Sequence, residues 1–365
     1  MEGRHEARGR PQTHRGLVPV RSARPGGRRV LRRAALNDPY FALIVPTRGD
    51  AGKLRTLLPA LAAQTFPRTR HEVLLSFDGT SPEPALAEEI ATRGLRVVSN
   101  PRRGGPGAAR NRAARDARGN YLAFTEDDCV PDPSWLERAA ARLEREPSID
   151  VLAGATLLPD GSPARRPDRD QPHYLPTNLF VKRTVFEAVG GYDEGYFHAA
   201  SGIYFREDSD FGFSLERAGA RIALEPEARV VHPREHSGYL DPIRWARRYR
   251  MDARLRKRHP DRFRERIEVH RLGPFTVRRP FVRACSAVVI ASLAAGIALA
   301  TGEPGLASLM GAVALAAFLP VWAKWRFDPI RLPVILAVPF VLITELLRGA
   351  AAERSPRSPG GPSIR

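Results

Sequence analysis

Gly119-Asn120-Tyr121-Leu122-Ala123-Phe124-Thr125-Glu126-Asp127-Asp128 is a short apolar run closed by three adjacent carboxylates. The apolar part, Tyr121 to Phe124, reads as a buried strand. Three neighbouring carboxylates repel one another unless a cation neutralises them. Alternate side chains of an extended chain point the same way, so Glu126 and Asp128 can face one ion. Carboxylates suit Mg2+ or Mn2+, which in turn bind phosphate oxygens. A second reading stands beside this one: Pro131-Asp132-Pro133-Ser134 opens a helix, and acids near a helix N-terminus or in a solvated turn need no metal.

The sequence upstream of the triplet alternates strand and helix. Phe41-Ala42-Leu43-Ile44-Val45 ends in Pro46 and suits a buried strand. Leu54, Leu57, Leu58 and Leu61 then recur at helical spacing. Val73-Leu74-Leu75 and Leu95-Arg96-Val97-Val98 read as two more strands, and Gly107 to Ala117 and Trp135 to Glu144 as helices. This alternation predicts an α/β fold with a mostly parallel sheet covered by helices. In such a sheet, ligands bind beyond the carboxyl ends of the strands. There the sequence places Pro46-Thr47-Arg48, then Asp78-Gly79-Thr80, then Asn100 with Arg102 and Arg103, then the triplet. Four successive strands carry polar groups to one edge, and that convergence marks a site.

Other groups have two readings each. Arg102-Arg103-Gly104-Gly105-Pro106-Gly107 precedes a helix and either cradles phosphate or forms an ordinary turn. It is not a dinucleotide fingerprint, because it follows the third strand and carries Arg110 where Gly or Ala is needed. Glu207 and Asp208 open a helical stretch and serve either its dipole or a general-base role. His232 ends an apolar stretch before Pro233 and is either a ligand or a structural histidine. Cys129 reads as a packed thiol, since no paired base is evident. Asp160 to Pro176 is rich in Pro, Asp and Arg and reads as a mobile loop over the site.

The 365 residues carry a formal net charge of +18, spread unevenly. Residues 1–37 hold ten Arg against two Glu, without apolar periodicity, and read as a disordered basic arm. Residues 38–239 hold 26 basic and 29 acidic side chains, so the expected folded domain is slightly acidic. Residues 240–283 hold fifteen basic and five acidic groups and read as basic amphipathic helices. Beyond them, Ala284 to Gly302 is 19 residues without charge and Pro304 to Ala323 is 20 more. Each reaches ~30 Å as a helix, the thickness of a bilayer core. Leu332 to Thr344, 13 uncharged residues with Pro333 and Pro339, reads as a short third span or a re-entrant segment. The transmembrane region is therefore placed at 284–348, with a disordered tail over 349–365. Basic residues flanking apolar spans point to the cytoplasmic side of a membrane rather than to nucleic acid. No apolar leader follows the first basic residues, and two cysteines do not suggest an oxidised protein. The expected location is the cytoplasmic (inner) membrane, with the catalytic domain facing the cytosol.

Taken in order, these motifs resemble family 2 glycosyltransferases with the GT-A fold, in the membrane-anchored bacterial form. The resemblance runs from Phe41 to Pro233 and rests on Ile44 to Arg48, Asn100 to Asn111, Gly119 to Asp128 and Pro131 to Leu136. Asn178 to Arg183, Val189 to Glu194, Glu207-Asp208 and Val231-His232 complete it. It implies a nucleotide-diphospho-sugar transferase domain over 38–239. It places the donor against Pro46, Thr47, Arg48, Asp78, Arg102, Arg110, Asn111 and Asp127. Glu126, Asp128 and His232 would hold Mn2+ or Mg2+, Asp208 would deprotonate the acceptor hydroxyl, and Glu207 would lie on the acceptor side. The implied reaction is inverting transfer from a nucleotide sugar to a glycan or lipid-linked acceptor. The sequence departs from the family at Phe77-Asp78-Gly79-Thr80, where Asp-Asp-Gly-Ser is common, and at Glu126, where Asp is common. Arg244-Trp245 is similar to the Arg-Trp of processive synthases, but their Gln-containing motif is absent. One or a few sugars are therefore expected per acceptor. The alternatives are a nucleotidyltransferase and an inactive scaffold that binds a sugar nucleotide.

Overall fold

The computed structural model describes residues 40–164, 175–234, 238–272 and 275–354. The arm expected over 1–37, most of the loop expected over 160–176, and residues 355–365 of the expected tail lie outside these.

The first half is β1 (Phe41–Thr47), α1 (Ala51–Ala62), β2 (His71–Asp78), α2 (Pro84–Thr92), β3 (Arg96–Asn100), α3 (Gly105–Asp116) and β4 (Tyr121–Phe124). β1 pairs in parallel with β2 and β4, and β2 with β3. β1 shows why the sequence folds this way. Phe41, Leu43 and Val45 enter one core with Leu54, Leu57 and Leu58 of α1, while Ala42 and Ile44 enter a second core with Ala113 and Ala114 of α3. Alternation with period two feeds both faces, and each face needs a helical cover.

The second half is β5 (Val130–Pro131), α4 (Trp135–Arg145), β6 (Val151–Leu157), β7 (Leu179–Lys182), α5 (Arg183–Val189), β8 (Phe197–His198), β9 (Ile203–Tyr204), α6 (Glu207–Arg217) and β10 (Ile222–Val231). The eight-stranded sheet runs β3-β2-β1-β4-β7-β6-β10-β5, with β8 and β9 forming a separate small hairpin. β7 is antiparallel to both β4 and β6, whereas β10 is parallel to β6. Pro226 interrupts β10, where the register shifts between Glu225 and Arg229.

Residues 240–283 differ from the all-helical expectation. They form α7 (Asp241–Arg247), α8 (Asp252–Arg258) and α9 (Pro260–Phe263), then an antiparallel hairpin of β11 (Val269–Leu272) and β12 (Phe275–Arg278). Three helices long and apolar enough to cross a membrane follow: α10 (Pro280–Ala300), α11 (Pro304–Ala323) and α12 (Leu332–Arg354). α12 is therefore a full-length helix rather than a 13-residue segment, and its last turns replace the start of the expected tail. Its acidic side chains are matched by protein. Glu345 pairs with Arg348 at 2.9 Å, and Glu353 with Arg254 at 3.2 Å. Ile290, Leu293, Ile297, Leu309 and Leu315 lie exposed on α10 and α11, an apolar surface suited to lipid. Where these helices meet α7, Trp245, Phe281 and Trp325 form an edge-to-face aromatic cluster, and Lys324 lies 4.2 Å from the Trp245 ring.

Candidate active site

The parallel strands β1, β2, β3 and β4 end at one edge, and residues at or just beyond their C-terminal ends open onto a cavity of about 320 Å³. Its lining includes Thr47, Asp78, Arg110, Glu126, Asp127 and Asp128. Pro46, Arg48 and Arg103 line it too, together with Lys53 and Tyr204, which sequence reasoning did not assign.

Asp78 closes the floor. Its carboxylate accepts from Asn100 Nδ2 at 2.9 Å and from the backbone N–H groups of Gly104 and Gly105 at 2.8 Å each. Those bonds fix the glycine loop in front of α3. Gly105 sits at φ +83°, and a Cβ there would stand 2.7 Å from the Phe197 ring, so the loop requires glycine. Arg103, over the Phe197 ring, faces the cavity, whereas Arg102 is exposed outside it. Asn111 also departs from its expected donor contact. Its side chain binds the backbone of Tyr192 through both amide atoms, at 2.8 and 2.9 Å, and Glu194 at 3.0 Å. It fastens the segment after α5 to α3.

Arg110 is 1% exposed, yet only Nη2 has a partner, Glu126 Oε1 at 3.1 Å. Its Nε and Nη1 are buried without one. A buried guanidinium with two unused nitrogens beside a cleft is suited to an anionic ligand.

The triplet divides. Asp127 turns toward β1 and α1, accepting from Thr47 Oγ1 at 2.7 Å. Burial raises its carboxyl above the usual range, against the bonds from Thr47 and Lys53. Asp128 and Glu126 turn toward His232, whose Nε2 lies 3.6 Å from Glu126 Oε2 and 3.9 Å from Asp128 Oδ1. Donors sharing one octahedral ion at about 2.1 Å stand about 3 to 4.2 Å apart, so the spacings from His232 to the two carboxylates fit a shared divalent cation. The histidine is oriented for it: Nδ1 lies 2.7 Å from the Pro233 carbonyl, so with Nδ1 as donor Nε2 is left to ligate. With no cation, the Glu126 carboxylate chiefly raises His232 to about 9, against burial. Cys129 Sγ belongs to the same cluster, but burial and the adjacent carboxylates push its thiol far above the ordinary range. Lys53 Nζ lies 2.9 Å from Asp128 Oδ2.

A second cavity, of about 410 Å³, abuts the first and shares Glu126 and Tyr204 with it. Glu207, Asp208, His232, Thr177, Phe205 and Arg248 are among its walls. Asp208 is half-buried and accepts from the Ser209 N–H at 2.7 Å. Glu207 is 8% exposed, and burial, reinforced by Asp208 and opposed by Arg110, raises its carboxyl to about 7. Asp210 serves structure instead, accepting from Tyr196, Arg258 and His259.

A parallel sheet edge ending in a cation-fitted acidic pair, faced by a second cavity with its own carboxylate, is the layout of a GT-A glycosyltransferase. The Glycosyl transferase family 2 profile matches residues 42–211, and that catalytic region belongs to the family. The chain is similar to glycosyltransferase AglE of Haloferax volcanii, 28% identical over 52% of this chain and 67% of that protein. It is similar also to the pre-mycofactocin glycosyltransferase of Mycobacterium tuberculosis, 27% identical over 60% of this chain and 48% of that protein. The O-antigen biosynthesis protein RfbC of Myxococcus xanthus is 27% identical over 56% of this chain, which spans 18% of that protein. In fold, the chain is similar to the mannosyltransferase PcManGT of Pyrobaculum calidifontis, solved with GDP-Man and Mn2+. The TM-score is 0.52 at 18% identity, covering 85% of this chain and 87% of that one.

Proposed function

We propose that this glycosyltransferase moves a sugar, with inversion, from a nucleotide-sugar donor to a hydroxyl of a lipid-linked glycan or glycolipid at the cytosolic face of the inner membrane. The observation that carries the reading is the pair of abutting cavities that meet at Glu126 and Tyr204. Thr47, Asp127 and Arg110 stand on the donor side, and Asp208 on the other. An acceptor in the second cavity approaches the anomeric carbon from the face opposite the nucleotide.

In that arrangement Asp208 takes the hydroxyl proton as the acceptor oxygen bonds to the anomeric carbon. The bond from that carbon to the diphosphate oxygen breaks, and the nucleoside diphosphate leaves. Arg110 offers its two unpartnered nitrogens to the diphosphate. Glu126, Asp128 and His232 are the residues that would hold Mn2+ or Mg2+. When bound, the cation supplies positive charge against the leaving diphosphate. The membrane acceptor is supported by Arg248. It lines the second cavity from the turn 248–251, which packs against α12.

The test uses the full chain in lipid nanodiscs with Mn2+, a panel of nucleotide sugars and extracted lipid acceptors. Release of nucleoside diphosphate with an inverted product anomer, read by NMR, is expected. Pyrophosphate release would indicate nucleotidyl transfer, and no turnover of any donor would indicate a binding scaffold.

A further inference from the structure

Four described residues other than glycine hold a positive φ, and two of them reach the same carboxylate. Asp252, 2% exposed, accepts from Arg206 Nε at 2.9 Å through Oδ1 and from Arg279 Nη2 at 2.5 Å through Oδ2. Arg206 has φ +74° and Arg279 φ +47°. Each is an N-cap: Arg206 of α6, which carries Glu207 and Asp208, and Arg279 of α10, the first apolar helix. The Arg206 carbonyl accepts from the Asp210 N–H at 2.9 Å, and the Arg279 carbonyl from the Arg283 N–H at 3.0 Å. Each arginine peptide therefore sets the first turn of its helix. A left-handed backbone is unfavourable for a residue with a β-carbon, and neither arginine caps its helix with its own side chain. Something outside the local chain has to hold both. The shared carboxylate does so, and it lines neither of the two cavities.

We propose that Asp252 is a positioning residue of the transfer step. It holds Arg206 in the left-handed conformation and so sets the first turn of α6, with its Asp208 carboxylate, against the foot of α10. The Arg206 guanidinium also lies 4.3 Å from the Phe205 ring, which in turn packs beside Tyr249 on the same 248–251 turn. The base helix is thus referenced to the membrane-proximal segment and not only to the sheet. The proposal rests on the reading of Asp208 as the base.

The test again uses the full chain in nanodiscs. Hydrogen exchange at the Asp210 and Phe211 amides needs no substrate, and Asp252→Asn should speed it about tenfold while β1 is unchanged. Turnover is read as Mn2+-dependent hydrolysis of UDP-GlcNAc or GDP-mannose. Asp252→Asn should lower it by about 100-fold with Mn2+–nucleotide binding unaltered, and Asp252→Glu should restore most of it. Glycine adopts positive φ without strain, so Arg206→Gly should retain more turnover than Arg206→Ala. Wild-type exchange in Asp252→Asn, or a parallel loss of nucleotide binding, would overturn the proposal. So would equal turnover in the two Arg206 variants. Wild-type hydrolysis in Asp208→Asn would instead refute the base itself, and with it the catalytic meaning of the hold, even where exchange shows that hold to exist.

Discussion

Lys53 Nζ lies 2.9 Å from Asp128 Oδ2, so a lysine in the first turn of α1 sits on one of the two carboxylates grouped with His232. Burial opposes its charge, but Asp128 and Asp127 outweigh this and hold the ammonium above the ordinary lysine range. Lysine and cation compete for one charge. Lys53→Met should therefore raise Mn2+ affinity of the nucleotide-free protein, by about threefold given the partial exposure of the pair. Titration followed by the Mn2+ EPR signal measures this, and an unchanged or lower affinity would show that Lys53 does not compete.

Asp128 and His232 face each other across the ligand set, and Cys129 lies beside them. Asp128→Asn should weaken Mn2+-dependent nucleotide binding by at least about tenfold, and nucleotide binding in EDTA should be indifferent to it. Cys129→Ala should bind Mn2+ as the wild type does, because Mn2+ prefers carboxylate oxygen to the soft sulfur of a thiolate. Calorimetry on both variants separates the roles.

For Asp208 the expected signature is kinetic. Asp208→Asn should lower turnover by about 10²- to 10⁴-fold, the range of general-base catalysis, with donor binding intact. A loss confined to donor affinity would move the residue out of the base role.

Glu207 makes one contribution to the pH dependence of stability. Its folded carboxyl titrates near 7 against an ordinary value of 4.5, so the folded state holds the proton more tightly than the unfolded chain. Stability from this group is therefore complete below about pH 4.5 and lost as pH rises through about 7. Glu207→Gln should melt close to wild type at pH 4.5 and above it at pH 8.5. A Tm difference that does not grow across this window would contradict the assignment.

Ending the chain before Pro280 should release it from membranes in a carbonate wash. It should also lower Tm by several degrees, since Arg254 and Lys257 lose Glu353 and the Trp245 face loses Phe281. Retention in the membrane pellet would mean that the basic segment before α10 anchors the protein by itself.

The sequence makes the first half of the fold legible because each local signal agrees with the next. Phe41 to Val45 alternates between two cores, the leucines of α1 recur at helical spacing, and Tyr121 to Phe124 is a strand with the bounds read from its apolar run. The second half is less legible. Leu179 to Lys182 is a strand of only four residues, whose antiparallel place between β4 and β6 depends on partners distant in sequence. Charged residues and Pro226 hide the first part of β10. In sequence the third apolar run ends before Glu345, because a lone acid reads as a stop, whereas Arg348 and Arg250 neutralise it in the folded helix.

By itself the sequence determined which strands end at the binding edge, that carboxylates gather there, and that long apolar helices follow. Those properties come from periodicity and residue type, which act over a few neighbours. Only the tertiary structure decided which carboxylate does what. It sent Asp127 to Thr47, grouped Glu126 and Asp128 with His232 just past the end of β10, committed Asn111 to Tyr192, and brought Lys53 to Asp128. It also joined Arg206 to Arg279 through Asp252. Such pairings are set by how the packed cores orient elements far apart in the chain, and no local pattern encodes them.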